Sequence, residues 1–228
     1  MTARVDHVVT SGTFSLDGGT WDVDNNVWIV GDDSEVIVFD PAHSPDAVVE
    51  AVAGRTVQAI VLTHGHDDHI RAVADAKQAL GNPPVLLNPE DQVLWEMVYP
   101  EAQPDGTIED GQELTVGGAT LRAIHTPGHS PGSTCFYAPS GLNVGGLPGV
   151  IGTPVGAEVP VLLSGDTLFQ GGPGATGRSY SSFDTIIESI RTKLFALPDE
   201  TVVLTGHGDA TSIGAEKPHL QEWVDRGH

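Results

Sequence analysis

Three histidines and two aspartates lie within the six positions from His64 to His69, in the run Thr-His-Gly-His-Asp-Asp-His. Imidazole nitrogens suit zinc, iron and related divalent metals, and a carboxylate adds a charged oxygen ligand. The run directly follows residues 58–62, Gln-Ala-Ile-Val-Leu, a short and mostly apolar stretch with the composition of a strand. Ligands at the end of a strand are held rigidly on one side and open to substrate on the other, so this run predicts a metal site.

Three later segments repeat this arrangement of strand, glycine-containing turn and candidate ligand. The strand-like residues 121–124, 161–164 and 201–205 are followed by His129, Asp166 and His207, respectively. Glycine permits the tight backbone turn that can aim a ligand inward. We therefore expect the fold to bring these side chains to the His64–His69 run and to complete the site.

Length and composition predict a single domain that spans residues 1–228, of which 39% are hydrophobic. No run approaches the roughly 18 apolar residues of a membrane span, and the N-terminal residues lack the apolar segment of a secretory signal. The single cysteine, Cys135, lies in a strand-like segment, where we expect it to be a buried small hydrophobe. These features predict a cytoplasmic protein with no membrane partner.

The charge balance bears on the class of ligand. The formal net charge is −21, and the 10 Lys and Arg residues form no cluster. Nucleic-acid binding depends on a basic face that neutralises phosphates. The sequence therefore predicts a small-molecule substrate and no nucleic-acid partner, and it does not indicate an oligomeric state.

The predicted elements form an α/β pattern. Residues 5–40 predict a meander of short strands with turns at Asp17-Gly18-Gly19 and Gly31-Asp32-Asp33. Helices are predicted over residues 44–54 with Ser44 as the cap, 69–80, 89–99 and 183–197. Residues 143–160 are rich in Gly, Pro and Val and predict an inserted hairpin or loop between two core strands.

The candidate ligands, in this order and spacing, resemble the metallo-β-lactamase superfamily. The resemblance rests on the His-x-His-x-Asp-His run, on the later His129, Asp166 and His207, and on Asp40 after the strand-like residues 36–39. The fold that it implies is α/β (α+β): an αββα sandwich of two mixed β-sheets flanked by helices, with the metal site at one edge.

The resemblance also implies two divalent metal ions and a role for each ligand. The first ion would be held by His64, His66 and His129, the second by Asp68, His69 and His207, with Asp166 as the bridge and Asp40 orienting a ligand histidine from behind. Two such ions about 3.5–4 Å apart can share a water and generate a bridging hydroxide at neutral pH. Asp68 and Asp166 are the implied catalytic carboxylates. Zinc is the expected metal, with iron or manganese as alternatives.

Within the superfamily, the segment Gly165-Asp166-Thr167-Leu168-Phe169 is similar to that of glyoxalase II, the hydroxyacylglutathione hydrolases, and the chain as a whole resembles their short bacterial forms. This implies a thioesterase that attacks an acyl-thiol ester, with Arg178 and Tyr180 contacting the thiol part. Because residues 208–228 alone follow His207, we expect no counterpart of the C-terminal helical domain of the larger enzymes, and the resemblance does not fix the thiol carrier.

Three alternatives remain. One is an oxidoreductase similar to the persulfide dioxygenases, which share the ligand run but use a single iron. Another is a lactonase, although Phe169 stands where lactonases usually carry tyrosine. The third is a non-catalytic binding module on the same fold.

Overall fold

Two β-sheets pack face to face in this chain, and helices cover both outer faces. The computed structural model describes residues 3–147, 149–150 and 156–227. Within the described ranges, none of the helices has the length and apolar character that crossing a membrane requires.

The first sheet has seven strands and begins with a long hairpin. Its spatial order is β10 (Leu142–Asn143), β1 (Ala3–Leu16), β2 (Gly19–Gly31), β3 (Glu35–Phe39), β4 (Thr56–Val61), β5 (Val85–Leu87) and β6 (Gly106–Thr107). β1, β2 and β3 are antiparallel neighbours, whereas β3 to β6 run parallel. The prediction of short strands over residues 5–40 is wrong, because β1 and β2 pair continuously from Arg4 opposite Gly31 to Leu16 opposite Gly19. The two predicted turns are confirmed.

The second sheet has six strands and is also mixed. Its order is β15 (Thr211–Ser212), β14 (Val202–Thr205), β11 (Val161–Gly165), β9 (Thr134–Ala138), β8 (Ala119–His125) and β7 (Glu113–Val116), and a small ribbon pairs β12 (Leu168–Phe169) with β13 (Gly172–Pro173). Cys135 in β9 is fully buried, as predicted. Of the loop predicted over residues 143–160, Asn143 bridges to Glu158, and residues 148 and 151–155 lie outside the described residues.

The helices are short and lie on the two outer faces. They are α1 (Pro45–Val52), α2 (Asp67–Ile70), α3 (Val73–Ala79), α4 (Gln92–Val98), α5 (Phe183–Ser189), α6 (Ile213–Glu216) and α7 (Leu220–Arg226), with 3₁₀ helices at Pro89–Asp91 and Lys217–His219 and a π-helical turn at Ile190–Leu194 that continues α5. The prediction of one helix over residues 69–80 is wrong, because Ala72 adopts a non-helical ψ of 4° and its N–H donates to the Ala42 carbonyl.

Ser44 occupies the predicted N-cap position of α1, but it does not cap the helix through its side chain. Its backbone is left-handed, with φ 50°, and its side chain makes no capping hydrogen bond to any described residue. The first turn of α1 is completed instead by the Ser44 carbonyl, which accepts from the N–H groups of Ala47 and Val48.

The strands β3, β11 and β14, which lead to Asp40, Asp166 and His207, are buried on both faces, which explains their apolar runs, whereas β8, which leads to His129, carries the exposed Arg122. Along β3, Ile37 and Phe39 face the core between the sheets, whereas Val36 and Val38 face the helix layer. Between the sheets, the ring of Phe39 packs against the ring of Phe136 from the opposite sheet, with their centroids 5.1 Å apart. A third cluster joins the second sheet to α5, α6 and α7. This succession of helix, sheet, sheet and helix confirms the predicted αββα sandwich.

Candidate metal centre

All seven predicted ligands meet at one edge of the sandwich. Asp40 follows β3 and the His64–His69 run follows β4, its parallel neighbour in the first sheet. Asp166 and His207 follow β11 and β14, which are parallel neighbours in the second sheet. His129 lies in the loop between β8 and β9. Because the carboxyl ends of parallel neighbours lie at the same sheet edge, residues that are distant in sequence converge there.

The first donor set consists of His64, His66 and His129, whose side chains are all buried. His66 Nδ1 lies 2.9 Å from His129 Nε2. The three rings are nearly perpendicular to one another, with centroids 4.6 to 4.9 Å apart. Three imidazoles in this arrangement present one nitrogen each to a common point.

The second donor set consists of Asp68, His69 and His207. His207 Nε2 lies 3.2 Å from His69 Nε2 and 3.3 Å from Asp68 Oδ2. The His207 side chain is 25% exposed, whereas that of His69 is fully buried. The second set is therefore the one open toward solvent.

Asp166 lies between the two sets. Its Oδ2 is 3.5 Å from His129 Nε2 in the first set and 3.3 Å from His207 Nε2 in the second. Its Oδ1 is 3.4 Å from His69 Nε2. One buried carboxylate thus faces ligands of both sets, as a bridging ligand must.

Hydrogen bonds on the outer side of the rings fix which nitrogen faces the site. Nδ1 of His129 lies 2.9 Å from the Ala175 carbonyl, and Nδ1 of His207 lies 2.7 Å from the Asp24 carbonyl. A carbonyl oxygen can only accept, so each Nδ1 carries a proton and Nε2 is the nitrogen that faces the site. Ligand histidines in metalloproteins are held in this way.

Asp40 performs the same function for two further histidines. Its Oδ2 accepts from His69 Nδ1 at 3.0 Å and from Thr63 Oγ1 at 2.6 Å. Since the only hydroxyl proton of Thr63 goes to Asp40, Thr63 Oγ1 must accept from His64 Nδ1, 3.1 Å away. The structure therefore places Asp40 behind one ligand of each set, in the position that its predicted orienting role requires.

The donor chemistry fits a divalent metal. The Nε2 atom of His64 is buried and has no hydrogen-bond partner among the described residues. Buried polar atoms rarely stay unpaired, and an unpaired imidazole nitrogen beside two others is accounted for by an ion. The two sets supply imidazole and carboxylate donors, which suit zinc, iron and manganese alike.

Electrostatics differ between the two sets. Burial lowers the pKa of His64 far below its ordinary value and lowers the pKa of His66 to about 3, so these rings are neutral. Burial also opposes charge on His207, but the neighbouring Asp166 outweighs it and raises the pKa of His207 to about 10. Burial opposes ionisation of Asp68 as well, yet the charge of His69 lowers the pKa of Asp68 to about 2. The second set is thus an ion cluster whose carboxylate is ready to bind a cation.

A cavity of about 240 Å³ opens onto the ligands. Its outer wall includes Phe14 and Trp21 of the β1–β2 hairpin and Arg178, whose guanidinium lies 3.8 Å from the Trp21 ring centroid and 5.5 Å from that of Phe14. The structure therefore brings the predicted Arg178 to the site. Tyr180 is 46% exposed and lies outside the set of described residues that line the cavity.

Several residues of the site are missing from the sequence predictions. Asn25 is fully buried in β2 and donates through Nδ2 to Asp68 Oδ2 at 3.0 Å. The aromatic wall comes from the same hairpin, and Phe14 also packs edge-on against the His66 ring. Consecutive asparagines within a strand-like segment were the one available signal, since Asn is depleted in strands unless its side chain has a partner.

Comparison with known proteins agrees with this geometry. The family model described as the metallo-beta-lactamase superfamily matches residues 20–141. Hydroxyacylglutathione hydrolase GloC of Haemophilus influenzae is 30% identical over 200 residues, which are 82% of this chain and 86% of GloC. The crystal structure of BLEG-1 B3 metallo-beta-lactamase gives a TM-score of 0.69 at 28% identity, covering 92% of this chain and 97% of that one. TTHA1623 in a di-iron-bound form gives a TM-score of 0.66 at 30% identity, covering 86% and 93%.

Proposed function

Because the chain belongs to the metallo-beta-lactamase superfamily, we propose that it is a dinuclear metal-dependent hydrolase that cleaves acyl-thiol esters, similar to glyoxalase II. The proposal of two metal ions rests on the position of Asp166, which faces His129 of one donor set and His207 of the other. The di-iron form of TTHA1623 supports two ions and leaves the choice between iron, zinc and manganese open.

The ligand residues hold the site ready for this chemistry. A pair of divalent ions, when bound, lowers the pKa of a shared water and polarises the substrate carbonyl. The outer hydrogen bonds of His64, His69, His129 and His207 fix Nε2 as the nitrogen that faces the site, and Asn25 fixes one oxygen of Asp68. These contacts pre-organise the donors, so little rearrangement is needed during the reaction.

Asp68 and Asp166 are the proposed catalytic carboxylates. The pKa of Asp166 lies well below its ordinary range because, although burial opposes ionisation, the neighbouring His207 and His69 outweigh it. Both carboxylates are therefore ionised at neutral pH, and each can orient the attacking water by accepting its proton in a hydrogen bond.

Arg178 supports a thioester with an anionic thiol part. Its guanidinium lies at the cavity wall, where it can pair with a carboxylate, and a guanidinium forms bidentate contacts with carboxylates. The name of the relative GloC, a hydroxyacylglutathione hydrolase, points to the same substrate class. The contact proposed for Tyr180 has no such support, since its side chain is exposed outside the cavity.

The test is hydrolysis of S-D-lactoylglutathione and other acyl-thiol esters by protein loaded with zinc, iron or manganese. We expect metal-dependent release of free thiol, lost on chelation and in Asp166→Asn, and retained in the exposed Asp75→Asn. Lactones and a chromogenic cephalosporin serve as competing substrates. Protein that holds two ions and turns over none of the thioesters would contradict the proposal, and oxygen consumption with a persulfide by protein holding one iron would favour the dioxygenase alternative.

We also propose that residues 1–228 form one domain, that the protein is cytoplasmic and that it has no nucleic-acid partner. The first is supported by the shared core, in which both sheets contribute to one apolar cluster.

A further inference from the structure

Asp91 is a buried carboxylate that belongs to neither donor set. It is fully buried at the end of the 3₁₀ helix Pro89–Asp91. Its Oδ2 accepts from the Gly65 N–H at 2.8 Å and from Ser130 Oγ at 2.7 Å, and its Oδ1 accepts from the Gly132 N–H at 2.6 Å. All three donors lie in the two loops that carry the first donor set, since Gly65 separates His64 from His66 and Ser130 follows His129.

The local position of Asp91 does not explain this use. It occupies the N-cap position of α4, where an aspartate ordinarily accepts from the first N–H groups of its own helix. Its side chain makes no capping hydrogen bond with any residue in the described part of the chain. The helical segment is capped at its start by Asn88, whose side chain accepts from the Glu90 N–H, so the Asp91 carboxylate is not needed as a cap and is turned toward the ligand loops.

Two glycines permit the close approach of the loops to Asp91. A Cβ built on Gly132 would lie 2.7 Å from the Asp91 nitrogen and 2.8 Å from its Cγ. A Cβ built on Gly65 would lie 3.1 Å from the Asp91 carbonyl oxygen. The backbones of both loops therefore donate to the same carboxylate directly; a side chain at Gly132 would collide with Asp91, and one at Gly65 would be tightly crowded.

We propose that Asp91 is a positioning residue that fixes the separation of the His64–His66 loop from the His129 loop and so sets the geometry of the first donor set. The inference rests on the proposed metal centre. Within the described residues, the hydrogen bonds of the Asp91 side chain reach Gly65, Ser130 and Gly132 and none of the three residues of the second set; Asp68 and His69 lie on α2, beyond His66. Loss of Asp91 is therefore expected to act on one metal ion and not on the other.

The test measures zinc affinity, by competition with a chromophoric chelator, in two backgrounds. His207→Ala disables the second set, and His129→Ala disables the first. Adding Asp91→Asn should weaken zinc binding about 10- to 100-fold in the His207→Ala background, because an amide group turns donors toward the loop N–H groups. It should leave affinity unchanged in the His129→Ala background, and Asp75→Asn, the same substitution at an exposed site on α3, should leave both unchanged.

Equal weakening in both backgrounds would overturn the inference, because it would show general structural support, and so would no weakening in either. If neither background bound zinc before Asp91 was changed, the proposed metal centre itself would fail, which is a distinguishable result. Should Asp91→Asn not fold, Ser130→Ala removes one donor to the same carboxylate without changing its charge. Ser130→Ala must then lower zinc affinity only in the His207→Ala background, and by less than is expected for Asp91→Asn. An equal loss of affinity in both backgrounds, or no loss in either, would again overturn the inference.

Discussion

Replacing Asp40 by asparagine perturbs the hydrogen bonds that hold both donor sets from behind. Asp40 accepts three hydrogen bonds, at Oδ1 from the Thr63 N–H and at Oδ2 from Thr63 Oγ1 and His69 Nδ1. Asparagine has a single acceptor oxygen. In its best orientation it keeps the two contacts at the Oδ2 position and turns its NH₂ group toward the Thr63 N–H.

The magnitude follows from these contacts. Leaving the buried Thr63 N–H unpaired costs about 1–3 kcal/mol, and each surviving bond loses about half of the roughly 1.5–3 kcal/mol typical of a bond to a charged acceptor. We therefore expect the metal-free Asp40→Asn protein to be destabilised by about 3–6 kcal/mol, which a typical stability of about 5–15 kcal/mol can absorb. Zinc affinity should fall about 10- to 100-fold at both sets, since Asp40 orients His69 directly and His64 through Thr63.

Urea unfolding of chelator-treated protein measures the first effect, and zinc titration against a chromophoric chelator measures the second. Thr63→Val is the matched variant, because it removes only the hydroxyl that links Asp40 to His64. Thr63→Val should lower zinc affinity more at the first donor set than at the second. The reasoning is refuted if Asp40→Asn unfolds within about 1 kcal/mol of the wild type and binds zinc as tightly at both sets.

Three further outcomes are expected. Zinc binding at pH 7 should release protons, because burial opposes charge on His207 but Asp166 outweighs it and raises the pKa of His207 to about 10. The number of protons released should shrink as the pH approaches that pKa. Calorimetry in buffers of different ionisation enthalpy measures this number, and a value of zero at pH 7 would contradict the prediction. Arg178→Ala should raise KM for carboxylate-bearing thioesters about tenfold or more without loss of bound metal. Steady-state kinetics measures KM, and an unchanged KM would contradict the proposed contact. Phe136→Ala should destabilise the protein by about 3–5 kcal/mol in urea, because its fully buried ring packs 5.1 Å from that of Phe39, and a loss below about 1 kcal/mol would count against this packing account.

The candidate ligands could be predicted from the sequence because each lies in the turn or loop that follows a strand-like segment. The unbroken apolar residues before His64 and Asp166 reflect strands buried on both faces, and parallel neighbours end at one edge. Local pattern therefore determines both the layered fold and the convergence of the donors. The superfamily resemblance adds the roles of the individual ligands, which spacing alone does not assign.

The parts that escaped prediction depend on contacts between distant segments. Asp91 acts on loops 26 and 39 positions away, and nothing in its immediate sequence separates it from an ordinary helix cap. Arg178 and Tyr180 are two residues apart, yet of these two only Arg178 lines the cavity, whereas Tyr180, in an irregular loop and with a left-handed φ of 69°, is exposed. Such loop conformations and tertiary hydrogen bonds are set by the assembled fold, so the pattern of residues along the chain does not reveal them.

The number of metal ions per chain tests the central claim most directly. Metal-free protein should be incubated separately with excess zinc, ferrous iron or manganese, passed through a desalting column and analysed by mass spectrometry for metal content. The arrangement of two donor sets around Asp166 predicts two ions per chain with at least one of these metals, and one ion in His207→Ala. At most one ion per wild-type chain with every metal would contradict the dinuclear centre and the hydrolase proposed from it.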